Sequence, residues 1–366
     1  MKKTSKDYLI TIPSHRLDIE NKEDLVEELA RIYGYNKISG SLPHLLQLNQ
    51  AKIDEDHYWK NLIRQYLNNC GFQEIITYSL VSEEEKNDFC WSEEENYFYK
   101  LLFPKSENHL YYRQSILPSH LKTISYNLSH QNKDLLFFEI GQIYSLNSTN
   151  QKKEEILTLS GTGKIIKSLV HKLEQELDFF WMKGIVENFW QSLNIFDRIS
   201  FASSSSKDFH PHQRADIFLD QTKVGFFGQI HPLIRQKYKI GPAVFGAQIS
   251  LSKLWIFFPP KFPISYWEIP SFPKIERDLA LIFHQATEAG EVIKIIKKIG
   301  GEFLVSVEIF DVYSDEKHKK NQQKSLSFRL IFQSSQMTLL SKKINEIVKN
   351  IAIALQNSLG AKLREK

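Results

Sequence analysis

With 366 residues the chain is long enough for two or three domains. An apolar fraction of 42% against 25% charged residues is ordinary for a globular protein, which excludes a disordered or collagen-like chain. The two cysteines, Cys70 and Cys90, exclude a disulfide framework and read as reduced thiols, and the longest apolar stretch, Leu254 to Pro260, falls far short of the roughly 20 residues of a membrane span. The lysines near Met1 have no apolar run behind them, so an intracellular protein without a secretory signal is expected.

In chain order, Pro13-Ser14-His15-Arg16-Leu17-Asp18-Ile19 leads into a helix whose stripe is Leu25, Leu29 and Ile32 and whose stop is Gly34. Asp24, Glu27 and Glu28 stand at i, i+3 and i+4 on that helix, and Asp18 just before it closes the set. Hard cations such as Mg²⁺ take oxygen ligands of this kind. Acids in a first helical turn also complement the macrodipole with no metal, so spacing alone leaves both readings open.

From about Tyr58 to Pro260 the pattern is mixed α+β with long antiparallel strands. Leu62, Ile63, Tyr66 and Leu67 suit a helix ended at Cys70-Gly71-Phe72, and Asp178 to Leu193 suits another. Strands are expected at Tyr97 to Phe103, Leu135 to Tyr144, Ile156 to Thr162, Ala215 to Leu219, Lys223 to Ile230 and Val244 to Ile249. His210-Pro211-His212 and His231 invite a metal reading, but the first two flank a proline at i, i+2 and no carboxylate of ligand spacing accompanies them. Ser203 to Ser206 has no base at motif spacing, so a serine nucleophile is not expected.

In the last hundred residues the apolar period switches between two and about 3.6. Strands are expected at Arg277 to Phe283 and Val305 to Tyr313, and at Leu326 to Phe332, where Leu326, Phe328, Leu330 and Phe332 alternate with Ser327, Arg329 and Ile331. A helix through Val292, Ile295, Ile296 and Ile299 stops at Gly300-Gly301, and a second, from Ile344 to Leu359, stops at Gly360. The result is a split βαβ with two helices on one side of an antiparallel sheet. Net charge is +4, and residues 271–366 hold sixteen Lys or Arg against eleven Asp or Glu, so the basicity sits in this tail. Such an excess favours a polyphosphate partner, and a solvated surface is the plain alternative.

Phe272-Pro273-Lys274-Ile275-Glu276-Arg277-Asp278-Leu279-Ala280-Leu281, then Ile309-Phe310-Asp311-Val312-Tyr313, then Lys324-Ser325-Leu326-Ser327-Phe328-Arg329-Leu330-Ile331-Phe332 resemble, in order and spacing, a ferredoxin-like anticodon-binding domain. That domain closes the beta subunit of bacterial-type phenylalanyl-tRNA synthetase. Gly71-Phe72-Gln73-Glu74-Ile75-Ile76-Thr77-Tyr78-Ser79, Arg113-Gln114-Ser115-Ile116-Leu117-Pro118, Phe138-Glu139-Ile140-Gly141, Lys183-Gly184 and Gly228-Gln229-Ile230-His231-Pro232 are similar to successive parts of the same subunit's catalytic-like module.

The resemblance implies an α+β chain in three parts: the end of a winged-helix-like domain over 1–48, a class II synthetase-like antiparallel sheet module without an active site over 49–262, and a ferredoxin-like βαββαβ anticodon-binding domain over 270–366. It implies that Asp18, Asp24, Glu27 and Glu28 bind Mg²⁺, and that the partners are tRNA(Phe) and a catalytic alpha subunit in an alpha2beta2 heterotetramer that uses ATP. A class II site needs a late Gly-rich strand and helix carrying an arginine for ATP phosphate. Ala247 to Leu254 offers no Gly-Arg pair, so Arg113 is expected to be structural or a subunit contact. The tRNA contacts are expected at Lys317, Lys319, Lys320 and Lys324, crowding the loop between two strands, and at Arg329 on the open sheet face. His231 matches a family turn.

The match runs from about Ile10 to Arg364 but covers only the C-terminal half of a full subunit, with no oligonucleotide-binding or editing domain before Met1, so a loosely packed N-terminal segment is expected. Met337 stands where the family has a basic residue, and Leu340-Ser341 replaces a Thr-Asp cap, leaving Ser341 to cap the last helix. The competing reading is a stand-alone RNA-binding or scaffold protein, with an independent hydrolase third. Richness in Lys, Asn, Ile and Phe points to an AT-rich genome, hence a cytoplasmic site with the plastid stroma as alternative.

Overall fold

The computed structural model describes residues 2–3, 8–41, 55–89, 98–146, 151–168, 170–193, 195–257, 268–313 and 321–363. They fall into two compact units, Met1–Phe262 and Pro263–Lys366.

In the first unit a short antiparallel pairing of Lys2–Lys3 with Tyr8–Leu9 precedes helix α1, Lys22–Tyr33, which ends at Gly34, whose φ of +100° suits a residue without Cβ. None of its side chains is buried, and Leu29 and Ile32 of its apolar stripe are exposed. The rest of the unit is built on a seven-stranded sheet. Its strands are β1 (Gln73–Glu74), β2 (Leu135–Leu146), β3 (Gln151–Thr162), β4 (Ile199–Ser203), β5 (Phe209–Leu219), β6 (Thr222–Ile230) and β7 (Val244–Ser250), in the order β4-β5-β6-β7-β3-β2-β1. Every neighbouring pair is antiparallel except β1, which lies parallel to β2.

Helices α2 (Glu55–Asn69), α3 (Leu117–Ser129), α4 (Phe179–Ser192), α5 (Pro232–Lys237) and α6 (Leu251–Phe257) accompany this sheet. Because side chains alternate along a strand, Phe138 of β2 joins a core with Ile63 and Leu67 of α2 and with Val186 and Trp190 of α4. Leu135 and Phe137 of the same strand join a second core with Leu117, Leu121 and Ile124 of α3. Covered on both faces, the central strand β7 is buried at every residue. Its polar Gln248 is satisfied by Ser115 Oγ at 2.9 Å and Thr158 Oγ1 at 3.1 Å.

Several elements depart from the sequence expectation. Within the described residues, Tyr97 to Phe103 gives only an isolated bridge from Lys100 to Tyr111. Helix α3 arises where only a motif was legible, its Pro118 tolerated in the first turn because the missing N–H has no helical partner there. Strand β4 and the hairpin Lys164–Ser168 with Leu173–Glu176 are not expected from the sequence, and the hairpin is mostly polar.

The second unit has strands β8 (Ile275–His284), β9 (Leu304–Tyr313), β10 (Gln323–Phe332) and β11 (Lys362–Leu363) in the order β9-β10-β8-β11, all antiparallel, with helices α7 (Ala289–Gly300) and α8 (Ser341–Leu359). Val292 and Ile296 of α7, Ile344, Ile351 and Leu355 of α8, and Leu279, Leu281, Phe328 and Leu330 of the sheet form one core, so both helices cover the same sheet face. Gly301 and Gly360, each at φ +63°, end the helices as expected. Ser341 is not the cap: the extended residue is Leu340, and Ser341 is already the first helical residue.

Candidate nucleic-acid interface

In β10, the residues alternating with the buried Leu326, Phe328, Leu330 and Phe332 are Ser325, Ser327, Arg329 and Ile331, on the face that no helix of this unit covers; of these Ser325 and Ser327 are themselves buried, and only Arg329 and Ile331 are partly exposed. Arg329 lies between Asp278 of β8 and Glu308 of β9. Its Nε donates to Asp278 Oδ1 at 3.0 Å and its Nη2 to Oδ2 at 3.2 Å, a two-pronged pair. The guanidinium holds the Asp278 carboxyl below the usual range, and the carboxylate raises Arg329 in turn. The register of β9 slips between Ile309 and Asp311, leaving Phe310 as the extra residue. The Arg329 guanidinium carbon sits 5.0 Å from the centre of that ring. Phe310, Val312 and Tyr313 are exposed along β9. A cation backed by an aromatic on an open sheet is a surface on which unstacked bases can lie. Sequence reasoning missed Asp278 and Phe310. Period two from Leu279 reveals the first, whereas the bulge that turns out the second leaves no sequence signal.

Lys324 is not part of that surface. It is the second residue of β10, opposite Phe283 on the helix-covered register, and half-buried. Burial lowers its ammonium pKa against the opposing charge of Glu288 at the foot of α7. The strand begins at Gln323, earlier than the apolar alternation indicates, and this carries Lys324 out of the loop and onto the face opposite Arg329. Lys317, Lys319 and Lys320 lie outside the described residues.

Three of the four N-terminal acids are held by other partners. Asp24 Oδ2 accepts the amides of Glu20 at 2.9 Å and Asn21 at 2.7 Å, which fixes the start of α1. Arg16 lies between Asp18, with Nη2 2.7 Å from Oδ2, and Glu28, with Nη2 2.6 Å from Oε1. Arg31 reaches the second Glu28 oxygen at 2.5 Å. The Arg16 hydrogen bond lowers the Asp18 carboxyl to about 2, and Arg16 and Arg31 hold Glu28 below its ordinary range. Glu27 is exposed, with no ion pair among the described residues. No group of three metal-ligating side chains forms among the described residues. The oxygen donors suit Mg²⁺ in kind, but their arrangement does not fit it, because an arginine occupies the space between two of them.

In the sheet module, Arg113 is buried with its guanidinium fully engaged. Its Nη2 donates to Glu139 Oε1 at 2.8 Å, its Nη1 to Thr77 Oγ1 at 2.7 Å and Tyr78 O at 3.3 Å, and its Nε to Gln142 O at 3.0 Å. Thr77 Oγ1 in turn donates to Glu139 Oε2 at 2.6 Å. These contacts staple the segment after β1 to β2. Over Ala247 to Leu254, β7 runs directly into α6. There Ser250 bonds Glu154, and Lys253 Nζ donates to Lys223 O at 3.0 Å, its pKa lowered by burial. His231 caps α5, Nδ1 accepting from Leu233 N at 3.2 Å, and the rings of His210 and His212 lie 5.9 Å apart.

Residues 41–251 match the family described as "Phenylalanyl tRNA synthetase beta chain CLM domain", residues 270–364 the "Ferredoxin-fold anticodon binding domain" and residues 1–35 the "tRNA synthetase B5 domain". Among curated relatives, the phenylalanine–tRNA ligase beta subunit of Staphylococcus saprophyticus is 33% identical over 363 residues, covering 98% of this chain and 44% of that protein. That of Bacillus subtilis is 32% identical over 364 residues, covering 97% and 44%. This chain therefore spans less than half the length of these relatives. A pyrrolysyl-tRNA synthetase structure from Desulfitobacterium hafniense aligns at a TM-score of 0.43 and 13% identity, over 68% of this chain and 82% of that one. Because the first of these matches spans more than half of the chain, the chain belongs to the phenylalanyl-tRNA synthetase beta chain family.

Proposed function

We propose that the chain is a non-catalytic beta subunit of phenylalanine–tRNA ligase. It assembles with a catalytic alpha subunit as an alpha2beta2 heterotetramer in the cytoplasm, supports ATP-dependent attachment of phenylalanine to tRNA(Phe), and binds that tRNA through its tail unit. The observation that carries the reading is the open face of the tail sheet, where Arg329 and Phe310 set a cation against an aromatic beside the exposed strand β9. The seven-stranded, mostly antiparallel sheet fits a class II-like module. The isolated chain is inert in this reading, since Arg113 is spent inside the fold and Lys253 is turned to a carbonyl. No described helix is long and apolar enough to cross a membrane.

Co-expression with an alpha subunit tests the assembly. The co-purified complex should charge tRNA(Phe), and the chain alone should give no phenylalanine-dependent pyrophosphate exchange. Exchange by the chain alone overturns the inert role, and failure to co-purify overturns the assembly.

A further inference from the structure

A groove on the first unit runs beside α3. A cavity of about 700 Å³ adjoins one of about 500 Å³ through Ser125, Ser129 and Lys239. Lys239 and Gly241 join the larger of these to a third, of about 390 Å³. Lys133, Lys164 and Lys239 line the first, Lys122 and Lys237 the second, and Arg235 the third. The acids on these walls are Glu84, Glu85, Asp134 and Glu176. Two of them are already committed: Glu85 to Lys122 at 2.6 Å, and Asp134 to the Lys164 amide at 2.8 Å. Lys122, Lys164 and Lys237 are committed as well, the last two to Glu174 at 2.5 Å and Asp88 at 2.7 Å, which leaves Lys133 and Lys239 as the wall lysines without an ion-pair partner among the described residues.

Its centre is rigid. Arg235 Nη1 donates to Gly241 O at 2.7 Å and Pro242 O at 2.5 Å, which ties down the loop after α5. Among the described residues the buried Arg235 Nε has no acceptor. Within that loop Lys239 holds φ +58°, the left-handed conformation that normally selects glycine just past a helix end. A lysine kept at such a position retains its side chain at the expense of backbone strain, and residues held this way cluster at binding sites. Among the described residues neither Lys239 nor Lys133 has an ion-pair partner, and both are exposed. Gly163, which lines the same cavity, packs so closely on the Lys133 carbonyl that a Cβ there would collide with it, which fixes the backbone carrying Lys133.

We infer that this groove is a track for the phosphodiester backbone of RNA, with Lys239 at its junction and Lys133 on its wall each neutralising a phosphate. The linked cavities are too extended for a single phosphate, and flexible cations on a fixed backbone suit a polymer of charges. The inference rests on the tRNA reading above, and its test separates the two.

Binding of tRNA(Phe) to the full chain is measured across a salt series for wild type, Lys133→Ala/Lys239→Ala, Lys133→Arg/Lys239→Arg and Lys239→Gly. Each lost phosphate contact lowers the magnitude of the log K against log salt slope by about 0.7 to 0.9. The double alanine variant should therefore lose about 1.4 to 1.8 of slope, and the arginine variant should keep it. Lys239→Gly should raise the melting temperature by relieving the strained backbone while lowering the slope, a combination that a purely structural lysine does not give. Wild-type slopes in the alanine variant, with tRNA still bound, overturn the groove. No tRNA binding by wild type overturns the parent reading and this inference with it. Displacement of RNA by millimolar inorganic phosphate identifies a free-anion pocket, and loss of a co-purifying protein with RNA binding intact identifies a protein interface. Either result overturns the inference.

Discussion

Arg113 and Glu139 form an ion pair of 2.8 Å whose side chains keep only 2% and 3% of their surface exposed. Removing one partner of such a pair leaves an uncompensated buried charge, at a cost of about 3 to 5 kcal/mol. Glu139→Gln should lower the urea midpoint of the first unit accordingly, at unchanged m-value. Arg113→Met combined with Glu139→Leu should cost less than the two single changes summed. A glutamine variant within about 1 kcal/mol of wild type would show that the staple is dispensable.

The neighbour of that pair sets a pH dependence. His120 is fully buried, its Nδ1 2.8 Å from Ser160 Oγ and its Nε2 3.6 Å from Glu139 Oε2. Burial lowers its pKa below the ordinary 6.5, so the unfolded chain takes up the proton first. Stability is complete above 6.5 and falls as pH drops from 6.5 towards the folded value, by at most about 1.4 kcal/mol per pH unit for one proton. Burial also raises Glu139, but His120, the Arg113 charge and the Thr77 hydroxyl outweigh it, so its own contribution persists until pH falls below the ordinary 4.5. Unfolding measured against pH should therefore show two declines, and His120→Gln should abolish the upper one.

Two glycines should respond to alanine with opposite sign. A Cβ on Gly141 would lie 2.5 Å from Arg113 Nη2, 2.8 Å from Glu139 Oε1 and 3.1 Å from Ile116 Cδ1, so Gly141→Ala displaces the staple, with an overpacking cost of about 1 to 3 kcal/mol. Gly184 lies inside α4 with nothing within 4 Å of an added Cβ, so Gly184→Ala should stabilise by about 0.5 to 1 kcal/mol. Thermal unfolding of the two variants decides both signs.

The sequence made the tail legible because its elements obey one period each: Leu279, Leu281 and Phe283 face the core in β8, as do Leu326, Phe328 and Leu330 in β10, and glycine closes both helices. It was less legible where tertiary burial overrides local pattern. Helix α3 carries a proline in its first turn and is legible only as a motif, whereas β7 is expected at Val244 to Ile249 although its buried run carries no alternation. Of the candidate contacts, Arg329 was legible from alternation, but Lys324 was not, since a strand's first residues can be polar and still lie on the core register. The acids read as a cation group because spacing shows carboxylates and hides the arginine that folds back from Arg16.

That arginine makes a prediction of its own. With Asp18 and Glu28 sharing Arg16, Arg16→Ala leaves two carboxylates facing each other across the emptied position. Calorimetric titration with Mg²⁺ should then give tighter binding to Arg16→Ala than to wild type. Equal affinity in both proteins would mean that the guanidinium does not compete with a cation.

On the tail sheet the same logic concerns RNA. Asp278 neutralises Arg329 and aligns it beneath Phe310, so the cation is oriented but partly spent before any phosphate or base arrives. Arg329→Ala should weaken tRNA(Phe) binding and, if Arg329 meets a phosphate, lower the salt slope by about 0.7 to 0.9. Phe310→Ala should weaken binding with no change of slope, because stacking releases no counterion. Asp278→Asn removes the competing carboxylate while keeping an acceptor for Arg329, and should tighten binding most at low salt. Filter binding of the three variants across a salt series separates the contributions. If Phe310→Ala and Arg329→Ala both bind as wild type does, the open sheet face is not the RNA contact.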